Sequence, residues 1–172
     1  GTAVLGESIV CQKDEFPQLQ RRSDLPQRLT IHCVSVGNPH AVIFLNEAAA
    51  AERSTSSNGA PQLTDALVHE FGRAIETWDR FPEGTNVEWV RWQARQSLQV
   101  RVWERGSGET QACGSGACAV AWAAMQKGAC DKAAAVAVTL PGGTLRVRRL
   151  ADDTLQLSGP AAQSFAGTWP VP

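Results

Sequence analysis

The sequence predicts an α+β fold in which a curved mixed or antiparallel β-sheet wraps around a buried central helix. Residues 114–127 carry no charge before Lys127 and are rich in alanine on every side, which is typical of a helix enclosed by its own domain. Strand-like segments both precede and follow this helix along the chain. A sheet that curves around the helix would bury all of its sides.

The first predicted strands come early in the chain. Residues 28–36 are rich in β-branched side chains and alternate loosely, and residues 40–45 form a short apolar run, so both predict strands. The Gly37-Asn38-Pro39 sequence predicts a bend between them. Residues 48–62 contain alanine, serine, asparagine and glycine without periodic apolar residues. This composition predicts a flexible loop or insertion.

A helix and a hairpin are predicted before the central helix. From Thr64 onward, apolar side chains recur about one helical turn apart, which indicates an amphipathic helix. These side chains belong to Leu67, Phe71, Ile75 and Trp78. Residues 87–92 and 98–103 alternate with period two, and the polar link between them predicts an antiparallel hairpin. The hairpin would deliver Glu104 to the glycine-rich segment that precedes the central helix.

Three further strands are predicted after the central helix. Gly128 supplies the end of that helix. Residues 133–140, 144–150 and 154–158 predict strands, which are joined by Pro-Gly-Gly and Asp-Asp-Thr turns. Together these elements predict a sheet whose two halves are separated by the helix in the sequence.

Composition excludes several classes of partner. The chain has 16 basic and 17 acidic side chains, so no net positive field attracts nucleic acid. No stretch reaches the roughly 18 consecutive apolar residues of a membrane span, and no signal peptide opens the chain. We therefore expect a cytoplasmic protein that binds neither nucleic acid nor membranes.

The cysteines predict reduced thiols and no metal. Their number is five and their spacing shows no repeat, which disfavours a disulfide framework. Four residues separate Cys113 from Cys118, and no second pair completes a tetrahedral zinc site. We accordingly expect no metal ligands in this chain.

Cys113 is the strongest candidate for chemistry. It follows a glycine-rich bend and precedes an apolar helix, so unpaired amides and the positive helix end would stabilise its thiolate. The same amides, at Gly114 to Gly116, could hold a bound carboxylate. Glu104 and Arg105 stand where a strand ends and could bind a substrate's ammonium and carboxylate groups.

Each of these residues also has a structural interpretation. Cys113 could be a small buried apolar residue, and Cys118, inside the helix, is expected to serve packing alone. Glu104 and Arg105 could pair with each other or face water. A lone histidine after a turn, such as His40, is more often structural than catalytic.

Three ordered motifs resemble the diaminopimelate epimerases. They are VGNPHAV at 36–42, FPEGTNVE at 81–88 and RVWERGSGETQACGSGAC at 101–118. LPGG at 140–143 and SGPA at 158–161 also match the closing strands of that family. The resemblance covers most of the chain from about residue 29 and implies a diaminopimelate epimerase-like domain.

The resemblance implies an enzyme without cofactors that interconverts LL- and meso-2,6-diaminopimelate in the biosynthesis of lysine and peptidoglycan precursors. Like proline racemase, these enzymes use two cysteines and neither pyridoxal phosphate nor a metal. One thiolate removes the α-proton from one face of the substrate carbon, and the other thiol donates a proton to the opposite face. Each half of the usual enzyme contributes one cysteine at the start of a central helix, and Cys113 matches that of the C-terminal half.

The resemblance also implies roles for individual residues. The catalytic residues would be Cys113, Glu104 and His40. Glu104 would bind the substrate amino group close to Cys113, and His40 would lie beside the cysteine of the other half. The amides of Gly114 and Ser115 would hold the α-carboxylate. The distal end of diaminopimelate would be bound by Asn38, Asn86 and Arg105.

The chain departs from the family in one respect. The first cysteine of the family lies in a Gly-Asn-Gly-x-x-Cys motif, which is not found around Cys11 or Cys33. We therefore expect residues 1–172 to be a C-terminal domain that lacks the N-terminal domain as its partner, and expect it to be inactive alone. The family usually pairs, which implies a homodimer as a further partner. Two alternatives stay open: a cysteine-nucleophile or thiol-redox enzyme, and a non-catalytic amino-acid-binding module.

Overall fold

A computed structural model describes residues 3–23, 25–45 and 62–170, which form one sheet of nine strands. Along the sheet the strand order is β1, β2, β3, β4, β5, β7, β8 and β9, and β6 pairs with β5 off this path. The strands are β1 (Val4–Gln12), β2 (Arg28–Ser35), β3 (Pro39–Phe44), β4 (Asn86–Ala94), β5 (Ser97–Glu104), β6 (Gly108–Thr110), β7 (Val136–Leu140), β8 (Gly143–Arg149) and β9 (Leu155–Ser158).

The sheet is mixed and surrounds one helix. Neighbouring strands are antiparallel except for the β3–β4 and β5–β7 pairs, which are parallel. The enclosed helix is α2 (Gly114–Gln126), and it contacts strands from both ends of the sheet, including β1 and β9. This arrangement confirms the predicted α+β fold with a sheet curved around a buried helix.

The second face of the sheet is covered by shorter helical segments. A π-helical segment, Ala66–Phe71, runs into α1 (Gly72–Glu76), and two 3₁₀ turns, Lys13–Glu15 and Pro17–Leu19, follow β1. Alternate residues of β4 therefore belong to different cores. Val90 packs towards α2, whereas Trp89 packs with the π-helical segment.

Most predicted elements are confirmed within a few residues. The strands at 28–36 and 40–45, the hairpin at 87–92 and 98–103, and the three closing strands all form. The strand β1 was not predicted, because its exposed edge position leaves both faces partly polar and removes the alternation. The predicted loop or insertion at 48–62 lies outside the described residues except for Gln62.

Within the described ranges, the longest helix is α2, with 13 residues. None of the helices there combines the length and apolar character that a membrane crossing requires.

Candidate active site

The start of α2 forms a mouth that can receive an anion. Cys113 caps the helix with an extended backbone, and the Gly116 amide donates to its Sγ at 3.3 Å. The Ala117 amide makes the first backbone bond of the helix, to the Cys113 carbonyl at 3.0 Å. The amides of Gly114 and Ser115 precede that bond and have no acceptor among the described residues. Two free donors therefore lie beside one sulfur atom.

A glycine turn brings a carboxylate to this mouth. Glu104 ends β5, and the turn into β6 uses Gly106 and Gly108, whose φ values of 76° and 79° are left-handed. The Thr110 hydroxyl donates to Glu104 Oε1 and fixes the carboxylate. Glu104 lies near enough to Cys113 for its charge to raise the pKa of the thiol. The structure thus brings the predicted residues Glu104 and Cys113 together.

The predicted lowering of the Cys113 pKa is wrong. Cys113 is only 6% exposed and borders the core around α2. Burial raises the pKa of its thiol, and this effect outweighs the hydrogen bonds from the Ser115 side chain and the Gly116 amide, which lower it. The helix end stabilises the thiolate as expected, but desolvation costs more. Cys113 therefore favours the protonated thiol at neutral pH.

A chain of polar side chains connects β3 to the helix mouth. His40 is buried, and its Nε2 lies 3.0 Å from Asn38 Oδ1. Asn38 Nδ2 donates to Ser115 Oγ over a long 3.4 Å, and Ser115 Oγ lies 3.5 Å from Cys113 Sγ. His40 is thus linked to the sulfur through Asn38 and Ser115.

Asn86 and Arg105 form the adjoining wall. Asn86 is buried, donates to the Pro39 carbonyl at 2.9 Å and accepts from the Arg105 amide at 3.0 Å. The Arg105 guanidinium donates to the Glu83 carbonyl at 2.9 Å. Asn86 thus ties the turn before His40 to the turn after Glu104, and the Arg105 side chain stays exposed.

Glu88 is a site residue that was not predicted individually. It lies on β4 with its carboxylate fully buried, and its Oε1 is 2.6 Å from His40 Nδ1. A Cβ at Gly116 would stand 2.9 Å from the same oxygen and 3.3 Å from Cys113 Sγ, so only glycine fits there. The available signal was an acidic residue among the apolar residues Val87, Trp89 and Val90, on the same face of the strand as Val90.

The described residues contain no group of three or more His, Cys, Asp or Glu side chains that could hold a metal ion. All five cysteines are free thiols. Cys118 is partly buried and packs against the core around α2, as predicted.

Alkylation should rank the buried thiols. Burial raises the pKa of Cys11 to about 12 and that of Cys130 to about 11, and neither sulfur receives a donor like the Gly116 amide. We expect iodoacetamide at pH 8 to modify Cys113 faster than Cys11 and Cys130, because the reactive species is the thiolate. Peptide mapping after timed quenching measures the three rates. A Cys113 rate at or below that of Cys130 would contradict this ranking.

The comparisons with known proteins agree with this geometry. A family model described as diaminopimelate epimerase matches residues 32–162. The chain is 45% identical over 136 residues to the diaminopimelate epimerase of Erythrobacter litoralis, covering 79% of this chain and 44% of the relative. It is 39% identical over 137 residues to the diaminopimelate epimerase of Neisseria meningitidis, covering 80% of this chain and 43% of the relative. The chain thus spans less than half the length of these curated relatives.

Two solved structures share the fold. A probable proline racemase from Agrobacterium radiobacter superimposes with a TM-score of 0.52 at 14% identity, covering 95% of this chain and 53% of the other. A predicted epimerase from Pseudomonas aeruginosa superimposes with a TM-score of 0.52 at 18% identity, covering 96% of this chain and 57% of the other.

The chain therefore shares an α+β fold, a mixed sheet around a central helix, with these two structures. The solved structures are too distant in sequence to define it further. The sequence relatives are closer, and they show that the chain belongs to the diaminopimelate epimerase family.

Proposed function

We propose that this chain is the C-terminal half of a two-cysteine epimerase that interconverts LL- and meso-2,6-diaminopimelate in lysine and peptidoglycan precursor biosynthesis. The observation that carries the proposal is the mouth of α2, where Cys113 lies beside the amides of Gly114 and Ser115, which have no acceptor in the described part of the chain. An amino acid needs a carboxylate site next to the group that takes its α-proton. Membership of the family supports this reaction and this substrate.

The reaction inverts the α-carbon through a carbanion-like state. In one direction a thiolate from the other half removes the α-proton, and the Cys113 thiol donates its own proton to the opposite face. Burial keeps Cys113 protonated, which suits this donating step. In the reverse direction the Cys113 thiolate takes the proton, and the thiol of the other half donates one.

The substrate itself would ease formation of the Cys113 thiolate. Glu104 raises the pKa of that thiol by its negative charge. A substrate ammonium bound to Glu104 would offset this charge, and the amides of Gly114 and Ser115 would neutralise part of the α-carboxylate. Substrate binding would therefore favour the thiolate form of Cys113, which accepts the α-proton.

The remaining residues would recognise the substrate and complete the site. Asn38 at the helix mouth, together with Asn86 and Arg105 on the adjoining wall, would bind the distal end of diaminopimelate. His40 would lie beside the cysteine supplied by the other half. We infer from the family resemblance that the reaction uses neither pyridoxal phosphate nor a metal, and that the complete protein pairs as a homodimer.

The proposal is tested by measuring epimerisation by this chain alone and by this chain fused to an N-terminal half. The 172-residue chain alone is expected to show no epimerisation, because one thiol cannot serve both faces of a carbon. Joining it to the N-terminal half of the Erythrobacter litoralis relative in one polypeptide, termed the two-half protein, should produce epimerisation. Chiral chromatography of LL- and meso-diaminopimelate measures both. Epimerisation by the purified chain alone, or none by the two-half protein with both halves folded, would contradict the proposal.

A further inference from the structure

Glu88 holds a buried carboxylate below the helix mouth that the proposed chemistry does not use. Its Oε1 lies 2.6 Å from His40 Nδ1, and both side chains are fully buried. Its Oε2 has no hydrogen-bond partner among the described residues. Burying a carboxylate with a single partner is costly, and an ion pair of this kind seldom adds stability. Stability alone therefore does not explain why this carboxylate is buried here.

The polar chain fixes where the protons of His40 lie. Asn38 Nδ2 points to Ser115, so Asn38 turns its carbonyl oxygen to His40 Nε2 at 3.0 Å. That oxygen can only accept, so Nε2 carries a proton. An ionised Glu88 can also only accept, so a second proton must lie between its Oε1 and Nδ1. With this orientation of Asn38, the two contacts require one proton on Nε2 and one between Nδ1 and Glu88 Oε1, which gives the Glu88–His40 pair no net charge.

We propose that Glu88 is a positioning residue that shares this proton with His40 and thereby keeps N–H donors directed from His40 through Asn38 to Ser115 at the thiol. Without a proton on the Glu88 side, a neutral His40 would donate from Nδ1 and leave Nε2 as an acceptor. Asn38 would then turn its amide group around, and its oxygen would take the Ser115 hydroxyl away from Cys113.

The charges around the pair agree with this role. Two titratable groups change the pKa of Glu88, namely His40 on β3 and Glu104 on β5. Glu88 in turn acts on the pKa of Cys113 at the start of α2. Burial raises the pKa of Glu88, which favours retention of a proton, whereas His40 lowers it. A negative charge on Glu88 would oppose the Cys113 thiolate, as the charge of Glu104 does. If the Glu88–His40 pair is neutral, only the charge of Glu104 remains of these two.

The value of this arrangement for catalysis rests on the proposed epimerase function, but its test does not. Nitrogen-15 NMR of histidine-labelled chain reports which ring nitrogen of His40 carries a proton. Wild type at pH 7 should show a protonated Nε2. Glu88→Gln should show the same, because a glutamine amide can donate to Nδ1 without titrating. An unprotonated Nε2 in wild type would overturn the proposal, whether or not any variant folds.

Alkylation of Cys113 gives a second readout that packing alone would not produce. Glu88→Gln should leave the rate at pH 8 unchanged, whereas Glu88→Leu, which cannot bind Nδ1, should slow it about two- to tenfold through loss of an aligned donor. If Glu88 acted only as a negative charge, both variants would speed alkylation. Faster alkylation in both variants, or an unchanged rate in Glu88→Leu, would contradict the proposal.

A second Glu–His pair in the chain supplies a matched control. His69 Nε2 lies 2.6 Å from Glu109 Oε2, and Glu109 also accepts from the Arg101 guanidinium, outside the polar chain that leads to Cys113. Glu109→Gln should therefore change neither the His40 signals nor the Cys113 alkylation rate. A change in either would show that the readouts follow general loosening of the fold, which would count against a specific role for Glu88.

Discussion

Replacing Cys113 with alanine in the two-half protein is expected to lower epimerisation by about 10²- to 10⁴-fold, the contribution of a positioned acid or base. Cys113 is the thiol at the mouth of α2, where Gly116 and Ser115 hold its sulfur. Alanine keeps the helix and the free amides but removes the group that transfers the proton. Initial rates from LL- and from meso-diaminopimelate should both fall, because each direction uses Cys113 once.

Cys118 provides the control for this substitution. It lies in the helix that Cys113 caps and packs against the same core, and its side chain has no hydrogen bond to another described residue. Cys118→Ala should keep the rate close to that of the parent. Equal rates for the Cys113→Ala variant and the parent would remove Cys113 from the mechanism.

Trp89→Ala is expected to lower the free energy of unfolding by about 3–5 kcal/mol. Trp89 is fully buried on the face of β4 opposite α2, and its ring centre lies 6.1 Å from that of Phe71. A Cβ at Gly72 would stand 2.9 Å from Trp103 Cβ and 3.5 Å from Trp89 Nε1, so α1 already lies against Trp103 and cannot move far into the space that Trp89 leaves. Urea unfolding followed by circular dichroism measures the loss.

Trp169 is the matched control for the stability measurement. Its side chain is 88% exposed, so Trp169→Ala removes no core contact. We expect its unfolding midpoint to equal that of the parent. A Trp89→Ala midpoint equal to the parent's would show that the second core does not hold the sheet together.

The elements with clear periodicity could be predicted from the sequence. The central helix was recognisable because residues 114–126 are uncharged, and the β4–β5 hairpin because Leu98, Val100 and Val102 alternate. The strand β6 has only three residues, Gly108–Thr110, and forms because the glycine turn folds it back onto β5. A segment this short carries no period, so its pairing depends on tertiary structure.

The sequence predicts which residues form the candidate site, but it does not predict the direction in which the pKa of Cys113 shifts. Helix position alone predicts a lowered pKa for Cys113, whereas the observed rise depends on how completely the fold covers the sulfur. Sequence motifs likewise named His40 without its partner. Glu88 meets His40 because β3 and β4 run parallel, with Val42 opposite Glu88, and this register is a product of the whole sheet.

The timing of solvent deuterium incorporation tests most directly whether Cys113 serves one face of the substrate carbon and a group outside this chain serves the other. The two-half protein is supplied with one isomer in D₂O, and both diaminopimelate isomers are analysed by mass spectrometry before equilibrium. If the two faces are served by different groups, deuterium should appear at the α-carbon of newly formed product and not in the remaining substrate. Deuterium appearing equally fast in unreacted substrate would contradict it, because a single group would then be removing and returning the proton.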